Sequence, residues 1–306
     1  MSSLLVQLYG IGNLVQTEPL MRYLGGGDIL VDPKRSTDQM APLFPNWKFC
    51  TQESWEGKTF SPGRYDDVYL CGPWIKPQEY GLIAKRVHTS TWTFQGPWEH
   101  TEAYALAEMV SGVVPLSFDE CPPTREEITP KLPRLEGWPA PWSHPYVVVS
   151  CGYNRHELGW EFKDWGRNGF KEITQRLNGV GVGVVLLGAQ EEWEYVGGPG
   201  WEKLGKPCNV RNGSLDSLMD QAKFASGCCG YIGNDTGWAH ICGAYGLPSA
   251  IYIGDPARQD PVKNRTAAPD LLQFYDQMEP ETVVRWLLPK VKEKSGWDEM
   301  NTPVCC

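Results

Sequence analysis

Short apolar segments of strand length alternate with segments of helical apolar spacing along most of this chain. In the second half, strand candidates at 146–150, 182–187 and 249–253 are separated by helix candidates at 170–177 and 236–245. Strands that are apolar on both faces are typical of parallel sheets with helices on each side. The alternation therefore predicts an α/β protein.

The first half shows the same pattern more weakly. A strand at 4–9, a turn from Gly10 to Asn13 and a helix at 14–24 come first, with later elements at 29–31, 68–70 and 100–110. The Pro- and Trp-rich stretch 122–145 is the best linker candidate. We expect two Rossmann-like, doubly wound domains, residues 1–144 and 145–306, which face a central cleft. The last helix could cross back to the first domain, and ligands are expected at the carboxyl ends of the strands.

Composition excludes some classes of function. No apolar run approaches the roughly 18 residues of a membrane span, and no basic segment precedes Leu4-Leu5-Val6, so neither a membrane helix nor a signal peptide is expected. The ten cysteines are scattered without C-x-x-C spacing and are interpreted as structural or free thiols. The net charge of -9 disfavours a general polyanion binder. A cytoplasmic location, in a bacterium or a phage-infected host, is expected.

The strongest chemical feature is a strand that runs directly into a helix through Asn234, Asp235, Thr236 and Gly237. Unpaired N–H groups and the positive end of the helix dipole make such a junction an anion site. Thr236 and Gly237 can direct N–H groups toward a diphosphate, and Asp235 is expected to cap the helix. His240 lies one turn further along the same helix. The alternative is an ordinary capped helix with a core histidine.

Two further features are weaker. The turn Gly10-Ile11-Gly12-Asn13 lacks the third glycine of a dinucleotide fingerprint, but it can place Asn13 over a ligand. Lys163, on a loop after the strand that ends at Ser150, can neutralise a phosphate as a point charge. The alternative for this lysine is a solvated surface position.

No metal site is predicted. Asp66 and Asp67 are adjacent at the start of a strand, so their side chains point to opposite faces of the sheet. We interpret them as a solvated strand edge rather than as metal ligands.

Several motifs together resemble glycosyltransferase family nine, the lipopolysaccharide heptosyltransferase family of the GT-B superfamily. Gly233-Asn234-Asp235-Thr236-Gly237-x-x-His240 is similar to its donor-phosphate motif, and Lys163-x-Trp165 to its K-x-W element. The segment 12–19 resembles the N-terminal G-D-x-x-x-T-x-P motif, and 186–192 resembles an L-G-x-x-x-E strand end. These motifs occur in the family's order from about residue 4 to residue 265.

The resemblance implies an inverting, metal-independent transfer from a nucleotide-diphosphate sugar, with no cofactor. The first domain would bind the acceptor through the loop that contains Gly10 and Gly12, and the second would bind the donor. The residues expected at the donor phosphates are Asn234, Asp235, Thr236, Gly237, His240 and Lys163. Those expected at its ribose or base are Gly188, Glu191 and Glu192.

One position departs from the family pattern. The family has a carboxylate where this chain has Asn13, and an amide cannot accept the proton of the acceptor hydroxyl. Either Asn13 only orients the acceptor or another group is the general base. The available candidates are Glu18, Glu99, His100 and Glu102.

Three functions remain open from the sequence. The first is transfer to a bacterial surface glycan such as a lipopolysaccharide core. The second is a phage-type transfer to a 5-hydroxymethyl pyrimidine in DNA, for which Lys34, Arg35, Lys85 and Arg86 could form a basic rim. The third, motivated by Asn13, is a non-catalytic nucleotide-sugar binding protein.

Overall fold

The computed structural model describes residues 2–51, 65–71, 84–89, 129–135, 141–152, 161–203, 210–214, 216–255, 270–275 and 277–296. The chain divides into two compact units, Met1–Leu132 and Pro133–Cys306. The helix predicted at 100–110 lies outside the described residues. Within the described ranges, no helix has both the length and the apolar character needed to cross a bilayer.

The first unit contains a parallel sheet in the order β3-β2-β1-β4-β5. Its strands are β1 (Ser3–Gln7), β2 (Gly27–Val31), β3 (Trp47–Thr51), β4 (Tyr65–Leu70) and β5 (Ala84–Thr89). Between β1 and β2 lie helices α1 (Ile11–Gln16) and α2 (Glu18–Leu24), and between β2 and β3 lie the 3-10 turns Pro33–Arg35 and Thr37–Leu43.

Two expectations about this unit were wrong. The helix predicted from residue 14 begins at Ile11 and is interrupted at Thr17, because Pro19 has no N–H with which to continue the helical ladder. Asp67 is 4% exposed rather than solvated, since β4 is an internal strand of the sheet. Its carboxylate accepts hydrogen bonds from Arg86 and is bonded to His88, both on β5.

The second unit contains a parallel sheet in the order β11-β10-β9-β6-β7-β8. Its strands are β6 (Tyr146–Ser150), β7 (Gly183–Leu186), β8 (Val210–Asn212), β9 (Tyr231–Asn234), β10 (Ser249–Tyr252) and β11 (Leu271–Phe274). Its helices are α3 (Arg167–Gly179), α4 (Gln190–Val196), α5 (Pro199–Glu202), α6 (Leu218–Gly227), α7 (Gly237–Ala244) and α8 (Pro280–Ser295). The prediction of two parallel α/β sheets with helices is confirmed.

Chain order explains where a ligand can bind in each unit. In the second unit the chain builds β6, β7 and β8 outward on one side and then returns to place β9 against the other side of β6. The junction of β6 and β9 is therefore the topological switch point, where the carboxyl ends of the strands leave a crevice. In the first unit the equivalent point lies between β1 and β4.

A glycine permits close pairing at the second switch point. A Cβ built on Gly233 of β9 would lie 2.4 Å from the carbonyl oxygen of Ser150 on β6. Any side chain at this position would force the two strands apart. The glycine of the sequence motif therefore serves strand packing beneath the site.

Candidate functional site

The helix that follows β9 begins at the switch point of the second unit. Thr236 is its N-cap residue, with an extended backbone at φ -137° and ψ 176°, and its side chain makes no capping hydrogen bond. The expectation that Asp235 caps this helix was wrong, because the Asp235 carboxylate is turned toward Lys163 instead. The first N–H groups of a helix have no partner within the helix, so the start of α7 offers donors to an anion.

Lys163 and Asp235 form an ion pair that is mostly removed from solvent. Lys163 Nζ donates to Asp235 Oδ2 at 2.9 Å, and the two side chains are 14% and 6% exposed. His240 Nε2 lies 3.7 Å from the other carboxylate oxygen of Asp235. The alternative of a solvated surface position for Lys163 was therefore wrong. The pair holds a cation beside the beginning of α7.

Asn234 connects three segments around this helix start. Its side-chain amide donates to the carbonyl oxygens of Cys151 at 3.0 Å and Gly152 at 3.2 Å. Its Oδ1 accepts the N–H of Trp165 at 3.3 Å. Because the amide is already bonded in both directions, Asn234 acts on the site by fixing the end of β6 and the loop that follows Lys163.

Three hydroxyl groups lie together at the switch point. Thr236 Oγ1 is 3.5 Å from both Ser150 Oγ and Tyr231 Oη. Tyr231 Oη also donates to the carbonyl oxygen of Asn234 at 2.9 Å, and burial raises the pKa of Tyr231 well above its usual value. Tyr231 therefore stays neutral and donates its one hydroxyl hydrogen to Asn234, so its oxygen is left to accept the Thr236 hydroxyl.

Glu192 lies on α4, and its carboxylate lies against the glycines that follow the carboxyl ends of β6 and β7. A Cβ built on Gly152 would lie 1.7 Å from one carboxylate oxygen of Glu192, and a Cβ on Gly188 would lie 1.4 Å from the other. Gly188 has φ +133° and exchanges two hydrogen bonds with the side chain of Gln221, at 2.7 and 3.1 Å. Glu191 is exposed on α4. Of the two candidates for the ribose or base, Glu192 is thus the one that lies at the strand ends.

In the first unit, Gly10, Gly12 and Asn13 lie at the start of α1, directly after β1. Gly10 is the extended N-cap residue, and Asn13 is half-buried in the first turn. The buried side chain of Gln7 fixes this turn by donating to Thr17 Oγ1 at 2.9 Å and accepting from the N–H of Tyr9 at 3.1 Å. Of the general-base candidates, Glu99, His100 and Glu102 lie outside the described residues.

Glu18 is held in an internal contact of the first unit. Its carboxylate accepts the backbone N–H of Lys131 at 2.8 Å and lies 3.6 Å from Arg22. Burial raises the pKa of Glu18, and this effect exceeds the opposing effects of the Lys131 N–H and of the Arg22 charge. The carboxylate therefore anchors residue 131 to α2.

Glu18→Gln is expected to flatten the pH dependence of stability from about pH 4.5 upward, where the Glu18 carboxyl group begins to ionise in the unfolded chain. Because the folded-state pKa of Glu18 is raised above its unfolded value, the folded protein binds the proton more tightly. Stability from this group is complete below the unfolded pKa and declines as the pH rises through the folded one. Glutamine keeps an oxygen for the Lys131 N–H and has no proton to lose. Urea unfolding of both proteins across this range checks the expectation, and parallel slopes would contradict it.

Residues 119–269 match the family model of glycosyltransferase family 9 (heptosyltransferase). The chain is heptosyltransferase-like. None of the curated protein sequences compared with it matches. The matched range includes Lys163, Glu192 and the β9–α7 junction.

Solved heptosyltransferases have the same fold. The Escherichia coli ADP-heptose lipopolysaccharide heptosyltransferase II aligns with a TM-score of 0.74 at 16% identity, over 96% of this chain and 99% of that one. The E. coli heptosyltransferase WaaC with ADP aligns at 0.69 and 16% identity, over 95% and 100% of the two chains. A family 9 glycosyltransferase from Veillonella parvula aligns at 0.69 and 12%, over 95% and 97%. The expected GT-B fold is thereby confirmed.

Sequence reasoning missed several residues of this heptosyltransferase-like chain. Ser150, Tyr231 and Gln221 all shape the crevice, yet each lies inside a strand or helix where no local motif marks it. The Asp67–His88 contact was also missed, because it joins two strands that are far apart in the sequence.

Metal-binding residues do not cluster in the part of the heptosyltransferase-like chain that the structure describes. No group of three His, Cys, Asp or Glu side chains there is arranged to hold an ion. The cysteines of the same part form no disulfide bond, and most are buried. Burial raises the pKa of the Cys228 thiol to about 12, so this thiol stays protonated at physiological pH.

Proposed function

We propose that this chain transfers a sugar from a nucleotide-diphosphate sugar to an acceptor hydroxyl, with inversion and without a metal ion. The second unit binds the donor and the first unit binds the acceptor. The acceptor is a glycan of the bacterial surface, and ADP is the first nucleotide to test, since a similar fold is known with ADP bound.

The observation that carries the proposal is the buried cation beside the start of α7. Lys163 lies 2.9 Å from Asp235, directly before the N-cap residue Thr236. A leaving nucleoside diphosphate needs its developing charge stabilised, and fixed donors with a fixed cation provide this without reorganisation. Here the N–H groups at the start of α7 and the Thr236 hydroxyl are the fixed donors, and Lys163 is the fixed cation. Their presence supports a metal-independent reaction.

Less supports transfer to DNA. The basic rim that motivated it includes Arg86, whose guanidinium donates two hydrogen bonds to the buried carboxylate of Asp67 at 2.7 Å each. Two of the five N–H donors of Arg86 are thereby used inside the sheet, which leaves a smaller basic rim for DNA phosphates. The glycan acceptor is therefore preferred.

The donor site is tested by thermal shift with ADP, UDP, GDP and CDP sugars, with and without EDTA. A ligand at a hundred times its Kd stabilises a protein by about 2.7 kcal/mol. The variants are Thr236→Val, which removes the hydroxyl at nearly constant volume, and Gly237→Pro. Proline suits the first helical position, and the extended backbone of Thr236 suits the residue that precedes a proline. Gly237→Pro therefore removes one N–H donor with little effect on the helix.

We expect one nucleotide to shift the melting temperature of the wild type, equally with EDTA, and to shift both variants less. Loss of the shift on adding EDTA would contradict metal independence. No shift with any nucleotide would contradict the donor site. A shift without any release of nucleoside diphosphate over time would favour the non-catalytic binding protein instead.

A further inference from the structure

Three charged or titratable side chains that are not part of the donor site, Asp67, Arg86 and His88, form a cluster on β4 and β5 of the first unit. The Asp67 carboxylate is 4% exposed and accepts Arg86 Nε at Oδ1 and Arg86 Nη2 at Oδ2, each at 2.7 Å. His88 Nε2 lies 2.8 Å from Oδ1. The strand register places Asp67 opposite Arg86 and Tyr69 opposite His88, so the parallel sheet itself positions the cluster.

The protonation states of the cluster follow from these contacts. The hydrogen bonds from Arg86 hold the pKa of Asp67 below its usual value, so Asp67 is a carboxylate and can only accept. His88 Nε2 must therefore carry the hydrogen that it shares with Asp67. When the imidazole is neutral, its lone pair is on Nδ1, and no hydrogen bond to Nδ1 is found within the described part of the chain.

His88 is also fixed in orientation and open to solvent. Its ring stacks on that of Tyr69, with centroids 4.5 Å apart and planes 11° apart. The side chain is 23% exposed. A carboxylate on one ring nitrogen, and a lone pair on the other that none of the described groups occupies, are the features of a histidine general base, which the carboxylate orients and stabilises once protonated.

We propose that His88 is the general base that deprotonates the acceptor hydroxyl and that Asp67 is its positioning residue. This inference rests on the proposed glycosyltransferase function. The hydroxyl proton moves to His88 Nδ1 while the hydroxyl oxygen bonds to the anomeric carbon of the donor. The anomeric carbon–oxygen bond breaks, and its electron pair leaves with the nucleoside diphosphate. His88 then returns the proton to water.

His88 can accept a proton from the acceptor hydroxyl, which the other described general-base candidates cannot readily do. Asn13 cannot accept a proton, and the Glu18 carboxylate is committed to the N–H of Lys131. His88 is the next-to-last residue of β5 and thus lies toward the carboxyl edge of the sheet, the edge at which α1, with Asn13, follows β1. One strand separates β5 from β1, a spacing of roughly 10 Å between the two. Asn13 and His88 would therefore contact different parts of a bound acceptor.

The pH dependence of the reaction depends on the groups around His88. Asp67 and Asp66 are the acidic groups, Arg86 is the basic group, and Tyr69 and Tyr23 are the neighbouring phenols. Arg86 supplies two of the hydrogen bonds that the Asp67 carboxylate accepts, so Arg86→Gln is expected to change the pH profile of the reaction through Asp67.

The test measures release of nucleoside diphosphate from the donor that binds best, with water alone and with deacylated lipopolysaccharide core oligosaccharide, from pH 5.5 to 9. His88→Gln is expected to lower kcat by about 100-fold or more, the usual contribution of a general base, with donor Kd unchanged. Asp67→Asn should lower kcat less and shift the profile. His144→Gln, the same substitution at a histidine of the other unit, is the control and should leave kcat unchanged.

The outcomes separate this inference from the function on which it rests. If the wild type releases diphosphate and His88→Gln does so at a rate within twofold and with the same pH profile, the role of His88 is overturned while the transferase function stands. The role of His88 is also overturned if His88→Gln is less stable than the wild type but has the same kcat per folded molecule. If the wild type binds a donor and releases none under either condition, or binds none, both proposals are overturned.

Discussion

Replacing Lys163 by methionine is expected to weaken nucleoside diphosphate binding at least tenfold, about 1.4 kcal/mol. The same change should lower the free energy of unfolding by about 3 kcal/mol. Methionine keeps most of the side-chain volume but leaves the 6% exposed Asp235 carboxylate without its cation. The effect on binding follows from the loss of a charge-assisted contact to phosphate. Chemical unfolding and titration with the nucleotide that binds the wild type measure the two effects.

A double-mutant cycle separates the two roles of Lys163. Asp235→Asn in the Lys163→Met background removes the carboxylate charge that has lost the Lys163 ammonium, so most of the lost stability should return while nucleotide affinity stays low. Lys223→Met is the matched control: its Nζ also lies 2.9 Å from a carboxylate oxygen, that of Asp220, but both side chains are about 30% exposed. Lys223→Met should lower the free energy of unfolding by less than about 1 kcal/mol. Wild-type affinity in Lys163→Met would refute the phosphate contact.

The donor junction could be predicted because its signal is local. An apolar strand, small and capping residues, and a helix follow one another within about a dozen positions, and the structure has the same succession in β9 and α7. The partner of Asp235 could not be predicted in the same way. Lys163 is 72 residues distant, and only the crossing of the chain from β8 back to β9 brings the two together.

The first unit was harder to predict because its local sequence patterns do not match the elements that they form. The strand β5, Ala84-Lys85-Arg86-Val87-His88-Thr89, has too little apolar content to be recognised, although it pairs fully with β4. Burial of Asp67 depends on partners in that unrecognised strand, so the sequence alone favoured a solvated edge. Glycine at positions 10 and 12 indicated a turn, yet Gly12 lies inside the first turn of α1.

Gly254, two residues after the end of β10, shows how one backbone position can control the site. It has φ +79°, and a Cβ on it would lie 1.8 Å from the carbonyl oxygen of Phe162, the residue before Lys163. A side chain here must therefore adopt a strained conformation and displace the turn that presents Lys163. The close approach of two backbone segments explains why glycine is required.

Gly254→Ala is expected to lower the free energy of unfolding by at least about 3 kcal/mol and to weaken nucleotide binding in the protein that remains folded. Gly246→Ala is the matched control, because Gly246 also has positive φ, at +68°, but has nothing within 4 Å of its built Cβ. Gly246→Ala should lower the free energy of unfolding only by the conformational strain of a positive φ, about 1 to 2 kcal/mol, and should bind nucleotide as the wild type does. The difference between the two variants isolates the contact with Phe162. Equal losses of stability, with nucleotide affinity retained in both, would show that Gly254 does not control the position of Lys163.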